Sequence, residues 1–244
     1  MLETGLAGEP QEYFGWEGFR AWSKEFGLAK KAPHLRFVKK ALAHGTTPNG
    51  IFSAKMHWSQ LERFVKRVRA SPGSWPESSG AILLHFFPDL HFVHLSRADT
   101  ARQAISYWKA SQGNEWWDVG APGEPPDVKL DYQQIRWCED ILMSHDRDWQ
   151  ELFEELKIPT FEVTYEDFEH DRVPVVEKIL DFLEVPHGPI ELPPSRLRRQ
   201  ADDQTEEWLD NYRRVRESLP HLPEKWKWTG TAVVPDADAQ AEPA

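Results

Sequence analysis

Apolar positions along this chain follow two rhythms, and their alternation predicts an α/β fold. His91–Leu95 and Thr160–Thr164 are short apolar or β-branched runs, as strands buried in a parallel sheet should be. Ile51–Trp58 reads as a further strand after the Thr47-Pro48-Asn49-Gly50 turn. Helical spacing fills the intervals. Tyr13–Gly27 carries Phe14, Phe19, Trp22 and Phe26. His34–His44 follows Pro33 at a first helical position and stops at Gly45. Ser59–Ala70 is basic and amphipathic, and Ala81–Phe87 ends at Pro88. Ala98–Gln112, Leu130–Leu156, Pro174–Leu183 and Gln204–Glu217 complete the helices, with Ser96 placed as the cap of the first of these. Strands alternating with helices imply a parallel sheet flanked by helices. No linker divides the middle, so residues 1–230 are expected as one domain and 231–244 as a disordered polar tail.

Composition narrows the setting. The 244 residues carry a net charge of −11, which argues against a general nucleic-acid surface. Mean hydropathy is −0.64, and no apolar run approaches the ~20 residues of a membrane helix. Met1–Gly5 lacks the basic start and apolar stretch of a signal peptide. Cys138 is the lone cysteine, so neither an intrachain disulfide nor a thiolate metal cluster is expected, and the cytoplasm is the expected compartment. The 12 tryptophans suit core packing, with some left to stack on sugar rings.

Four segments carry candidate chemistry. Arg97 lies at the carboxyl end of a predicted strand, where open α/β sheets bind ligands. Its planar fork suits phosphate oxygens, and Ser106 nine positions on would complete a phosphate clamp beside a helix N-terminus. Glu9 and Glu12 lie in a front loop. A carboxylate there is either a general base or simply solvated. Lys55 and His57 alternate on one strand and point the same way. Lys55 suits the charge of a transferring group and His57 a proton, although a strand end and a packed histidine explain them equally. Arg196-Leu197-Arg198-Arg199-Gln200 concentrates cations in an acidic chain, as an anion-binding lid or a solvated loop would. Thr164-Tyr165-Glu166-Asp167-Phe168 reads as structural, with Asp167 or Glu166 capping a helix.

Together, residues 3–14, 47–58, 94–112 and 198–214 resemble the bacterial trehalose 2-sulfotransferase family, and TYEDF at 164–168 resembles a wider sulfotransferase feature. The resemblance spans nearly everything from Leu2 to Arg214. It implies a sulfotransferase fold similar to P-loop nucleotide kinases and transfer of a sulfuryl group from 3′-phosphoadenosine 5′-phosphosulfate to a carbohydrate hydroxyl. The implied acceptor is trehalose, a similar sugar or a glycolipid precursor. The resemblance also implies a homodimer and no metal. It places Glu12 as the general base and Arg97 and Ser106 on the 3′-phosphate of the donor. Lys55 falls on a family lysine. His57 is a second candidate base, because a Lys-x-His on this strand supplies the base in the wider superfamily. Arg198, Arg199 and Gln200 would help to hold the donor, and Glu9 and Trp116 the acceptor. Family members open on a strand and a Gly- and Ser-rich loop that cradles the phosphosulfate. This chain begins after that point, and a start lying upstream of Met1 is the expected explanation. A degenerate, non-catalytic binding protein is the alternative. A P-loop kinase relative is the weakest reading, since no Walker loop is present.

Overall fold

A computed structural model describes residues 4–29, 31–113, 129–193 and 203–223. The fold is α/β: a small parallel sheet of two strands flanked by helices. The described residues gather into two compact units, one built from 1–96 and 148–193, the other from 97–147 and 194–244.

In the first unit, strands β1 (Phe92–Ser96) and β2 (Thr160–Thr164) pair in parallel, with Phe92 opposite Thr160 and Ser96 opposite Thr164. The cross-strand neighbours His94 and Glu162 meet at 2.7 Å. Helices α1 (Trp16–Glu25), α2 (His34–Gly45), α3 (Trp58–Arg69) and α4 (Ser79–Phe86) surround a core of Tyr13, Phe14, Phe37, Phe64, Leu61 and Ile82. Aromatic edges and faces fill it, with Phe14 and Phe64 ring centres 4.9 Å apart. After β2 come α7 (Tyr165–His170) and α8 (Arg172–Phe182). Thr164 caps α7 by accepting the Asp167 N–H at 3.1 Å, and Asp167 in turn accepts the Thr164 hydroxyl at 2.7 Å. The cap is therefore neither Asp167 nor Glu166, because the last strand residue already holds a hydroxyl over the first turn.

The second unit is helical. Its elements are α5 (Thr100–Gly113), the first part of α6 (Tyr132–Leu156), α9 (Asp203–Val215) and a 3-10 turn at Arg216–Ser218. Ala104, Ile105, Ile135, Cys138, Leu209 and Tyr212 form its core. The cap of α5 is Asp99 rather than Ser96: its Oδ1 accepts the Arg102 N–H at 3.1 Å, while Ser96 ends β1. Asp99 Oδ2 also takes Arg213 at 2.8 Å, and Arg102 grips Glu206 with two bonds of 2.6 and 2.9 Å, so charge as well as core holds α5 to α9.

One expected strand is absent. Residues 51–57 make only isolated bridges, Thr46 with Phe52 and Gln11 with Ala54. Their backbone bonds go to turns and to the front loop rather than to a ladder, as in the Lys55 N–H to Gln11 carbonyl bond of 3.0 Å. Residues 231–244 lie outside the described residues.

His34 is a histidine among rings. It stacks on Phe37, lies near Phe19 and Phe64, and neither ring nitrogen has a hydrogen-bond partner among the described residues. Burial first, and the Arg67 charge second, depress its pKa to about 4. An unfolded histidine binds its proton near 6.5, so the unfolded state gains a proton first as the pH falls. Stability tied to His34 is complete above pH ~6.5 and is lost progressively down to about pH 4. The expected loss approaches ~3 kcal/mol. Urea unfolding of the wild type and His34→Phe at pH 7.5 and 4.5 reads it: the mutant should lack that share of the pH dependence. Equal slopes in both proteins would show that His34 is not its source.

Candidate active site

Two distant segments build the site in the first unit. Gly8 takes φ +73°, and a Cβ there would meet the Ser53 hydroxyl oxygen at 2.6 Å, so only glycine lets the front loop lie this close to residues 52–53. Gly8 N–H donates to the Thr47 hydroxyl at 3.1 Å, Asn49 reaches the Leu6 carbonyl at 2.7 Å, and Glu9 N–H reaches the Gly45 carbonyl at 2.9 Å. The TPNG turn thus grips the front loop, and the Gln11–Ala54 bridge continues the register toward Glu12. At Gly18 a Cβ would fall on the Glu12 carbonyl oxygen, so α1 presses directly on the backbone of this residue.

The Glu12 side chain is 17% exposed and lies among three polar groups. Lys55 Nζ is 2.7 Å from Oε1, and His57 Nε2 is 3.7 Å from the same oxygen. Gln60 Nε2 donates to Oε2 at 2.8 Å. Burial alone would raise the carboxyl pKa, but His57 and Lys55 outweigh it and bring it to about 2. At 3.7 Å the imidazole lies beyond hydrogen-bond reach, so the Lys55 ion pair is the firmer cause. Lys55 and His57, alternating on an extended segment, do meet one carboxylate, although the segment is no regular strand. Both are more than half exposed, whereas Gln60 is buried.

Glu9 is half-exposed. Its carboxylate lies 3.7 Å from His44 Nε2, and its carbonyl accepts the Tyr13 hydroxyl at 3.0 Å. In the second unit, Arg97 lies three residues ahead of α5 and Ser106 occupies the second turn of that helix. Both are partly buried. Trp116, Arg198, Arg199 and Gln200 lie outside the described residues.

Gln60 was invisible as a site residue in the sequence, where it reads as one more polar position on a basic helix. The only signal was its place, three residues after the helix cap, where a glutamine side chain turns back toward the N-terminus.

Comparison with known proteins gives the family. A trehalose 2-sulfotransferase of Mycolicibacterium smegmatis is 29% identical over 250 residues, covering 90% of this chain and 91% of that protein. A trehalose 2-sulfotransferase of Mycobacterium tuberculosis is 27% identical over 245 residues, covering 87% of each. The profile of one family runs through both units, from residue 1 to residue 215, and by that match this chain belongs to the Stf0 sulphotransferase family, whose chemistry is sulfuryl transfer.

Proposed function

We propose that this chain transfers a sulfuryl group from 3′-phosphoadenosine 5′-phosphosulfate to a hydroxyl of trehalose or a similar sugar. The observation that carries this reading is the Glu12 carboxylate, sheltered and ionised, with one oxygen turned to a lysine and a histidine. The names of the two relatives support the acceptor class.

In this mechanism the acceptor oxygen attacks sulfur, the bond from sulfur to the phosphate oxygen breaks, and adenosine 3′,5′-bisphosphate leaves with the electron pair. The acceptor proton passes to Glu12. A carboxylate with a pKa of about 2 does not ionise a sugar hydroxyl in advance. It takes the proton as the new oxygen–sulfur bond forms and the hydroxyl turns acidic. Lys55 stabilises charge on the transferring group, and leaving Glu12 to do so restores basicity to the carboxylate. His57 is the rival base. Arg97 and Ser106 hold the 3′-phosphate, joined by Arg198, Arg199 and Gln200, while Glu9 and Trp116 hold the sugar. The working protein is a cytoplasmic homodimer that uses no metal.

Isotope-labelled donor incubated with trehalose and the purified chain tests the reading: labelled sulfated trehalose should form. Calorimetry with adenosine 3′,5′-bisphosphate should show binding that weakens about 10–100-fold in Arg97→Ala, the share of a charge-assisted phosphate contact. A folded chain that binds the bisphosphate but transfers nothing to any sugar offered would be a binding protein instead.

A further inference from the structure

Gln60 has two jobs at once. Its Oε1 accepts the His57 backbone N–H at 3.2 Å, where α3 begins. A backbone N–H can only donate, so this bond fixes which end of the amide is oxygen and turns Nε2 toward Glu12. Nε2 then donates to Glu12 Oε2 at 2.8 Å, across 48 residues of sequence. Gln60 is 6% exposed, and a Cβ at Gly15 would come within 2.8 Å of Nε2, so the amide has little room to turn. The two groups on the other oxygen differ in kind. Lys55 and His57 are exposed side chains that can leave Oε1 when substrate arrives.

We propose that Gln60 is the positioning residue of this site, holding Oε2 of Glu12 so that Oε1 alone is presented to the acceptor hydroxyl. The proposal rests on Glu12 as the base. The fixed donor aims the carboxylate, and the exposed lysine and histidine give way to the reacting groups. Capping of α3 would need only the amide oxygen. The donation to Glu12 is additional to it.

Two variants separate these jobs. Gln60→Glu keeps an acceptor for the His57 N–H, and so keeps the helix cap, but sets a carboxylate against Glu12. Gln60→Met keeps the volume and loses both bonds. The first readout is a carbon NMR titration of the glutamate carboxyls, with Glu12→Gln identifying the Glu12 signal. In Gln60→Glu the Glu12 midpoint should rise by about one unit or more, as expected for facing carboxylates, and thermal stability near neutral pH should fall with it, while it recovers as the pH is lowered and the carboxyls protonate. Sulfuryl transfer from the labelled donor to trehalose gives the second readout. There kcat should fall about 10–100-fold in both variants with little change in the acceptor KM, the signature of a misaimed base. A Glu12 titration and a kcat unmoved in Gln60→Glu, beside an inactive Glu12→Gln, would overturn the role of Gln60 alone. Full transfer by Glu12→Gln would overturn the base assignment, and Gln60 as a catalytic positioning residue with it.

Discussion

Glu12→Gln should lower kcat for sulfuryl transfer by about 10²–10⁴-fold, the range supplied by a well-placed general base. The exchange is close to isosteric. The new amide oxygen still accepts from Gln60, and Lys55, already 55% exposed, loses its partner to water at little cost. Affinity for the bisphosphate should change little and the loss of activity should appear in kcat, while some stability is lost at neutral pH, because a carboxyl held at about 2 stabilises the fold in its ionised form. His57→Ala should be the milder change, because the imidazole stands 3.7 Å from the carboxylate and is more than half exposed. The pH profile separates the two bases. With its pKa held at about 2, Glu12 stays ionised through the ordinary range, so kcat/KM should have no acid limb between pH 5 and 8 that belongs to the base. An imidazole base would put a limb near about 6.5. Lys55→Met removes the closest counter-charge, so the carboxyl pKa should climb and the acid limb should move up toward the ordinary glutamate range. An active Glu12→Gln beside a dead His57→Ala, with a limb near neutrality, would transfer the role of base to His57.

Elements that carry a strong local pattern were legible. Thr160–Thr164 is a strand at both bounds, His34–Gly45 differs from expectation by a residue at one end, and Trp58–Arg69 by a residue at each end. Their apolar spacing is internal to the segment, and neighbours in sequence settle it. The misread segment, 51–58, alternates like a strand but pairs only at single bridges, one to Thr46 and one to a loop some forty residues earlier, and no local pattern records a missing partner. The same limit explains the site. Glu12, Lys55 and His57 were suspected separately from charge and spacing, and only the grip of the TPNG turn on the Gly8 loop brings them together. Asp99 displaced Ser96 as a cap for a related reason: two plausible capping residues lay three apart, and the strand register claimed the first. Arg136, Glu139 and Asp140 look like a solvated helix face with charges at three and four residues, yet the Glu139 carboxylate is sealed from water. Burial of a charge depends on what packs over it, which in this case is α9, more than sixty residues away.

That buried carboxylate sets the largest expected effect on stability. Glu139 is 1% exposed in the second unit. Its Oε2 accepts the Tyr212 hydroxyl at 2.7 Å and Arg216 Nε at 2.8 Å, with Arg136 Nη1 at 3.7 Å. Arg136 also reaches Asp140 at 3.3 Å, and His221 lies 3.1 Å from that aspartate, so one charged network ties α6 to α9 and to the segment after it. Two guanidiniums and a phenol converge on one carboxylate, and burial first and Glu139 second raise the Tyr212 pKa well above that of an ordinary phenol. Glu139→Ala removes the common partner. Arg136, almost as buried, keeps its charge with Asp140 alone among the described residues to answer it, and the Tyr212 hydroxyl loses its acceptor inside the core. Breaking a buried pair in this way costs about 3–5 kcal/mol, far more than the intact pair contributes over an apolar substitute. Tyr212→Phe deletes a donor and leaves both guanidiniums in place, so about 1–2 kcal/mol is expected. Glu217→Gln, at an exposed position close by in sequence, should stay within about 0.5 kcal/mol. Urea unfolding gives the totals, and hydrogen exchange of α6 and α9 amides shows whether the second unit opens first, as it should if this network is what closes it. A Glu139→Ala protein as stable as wild type would mean that the carboxylate is held at no net gain and that the Ile135, Cys138, Leu209 and Tyr212 core suffices alone.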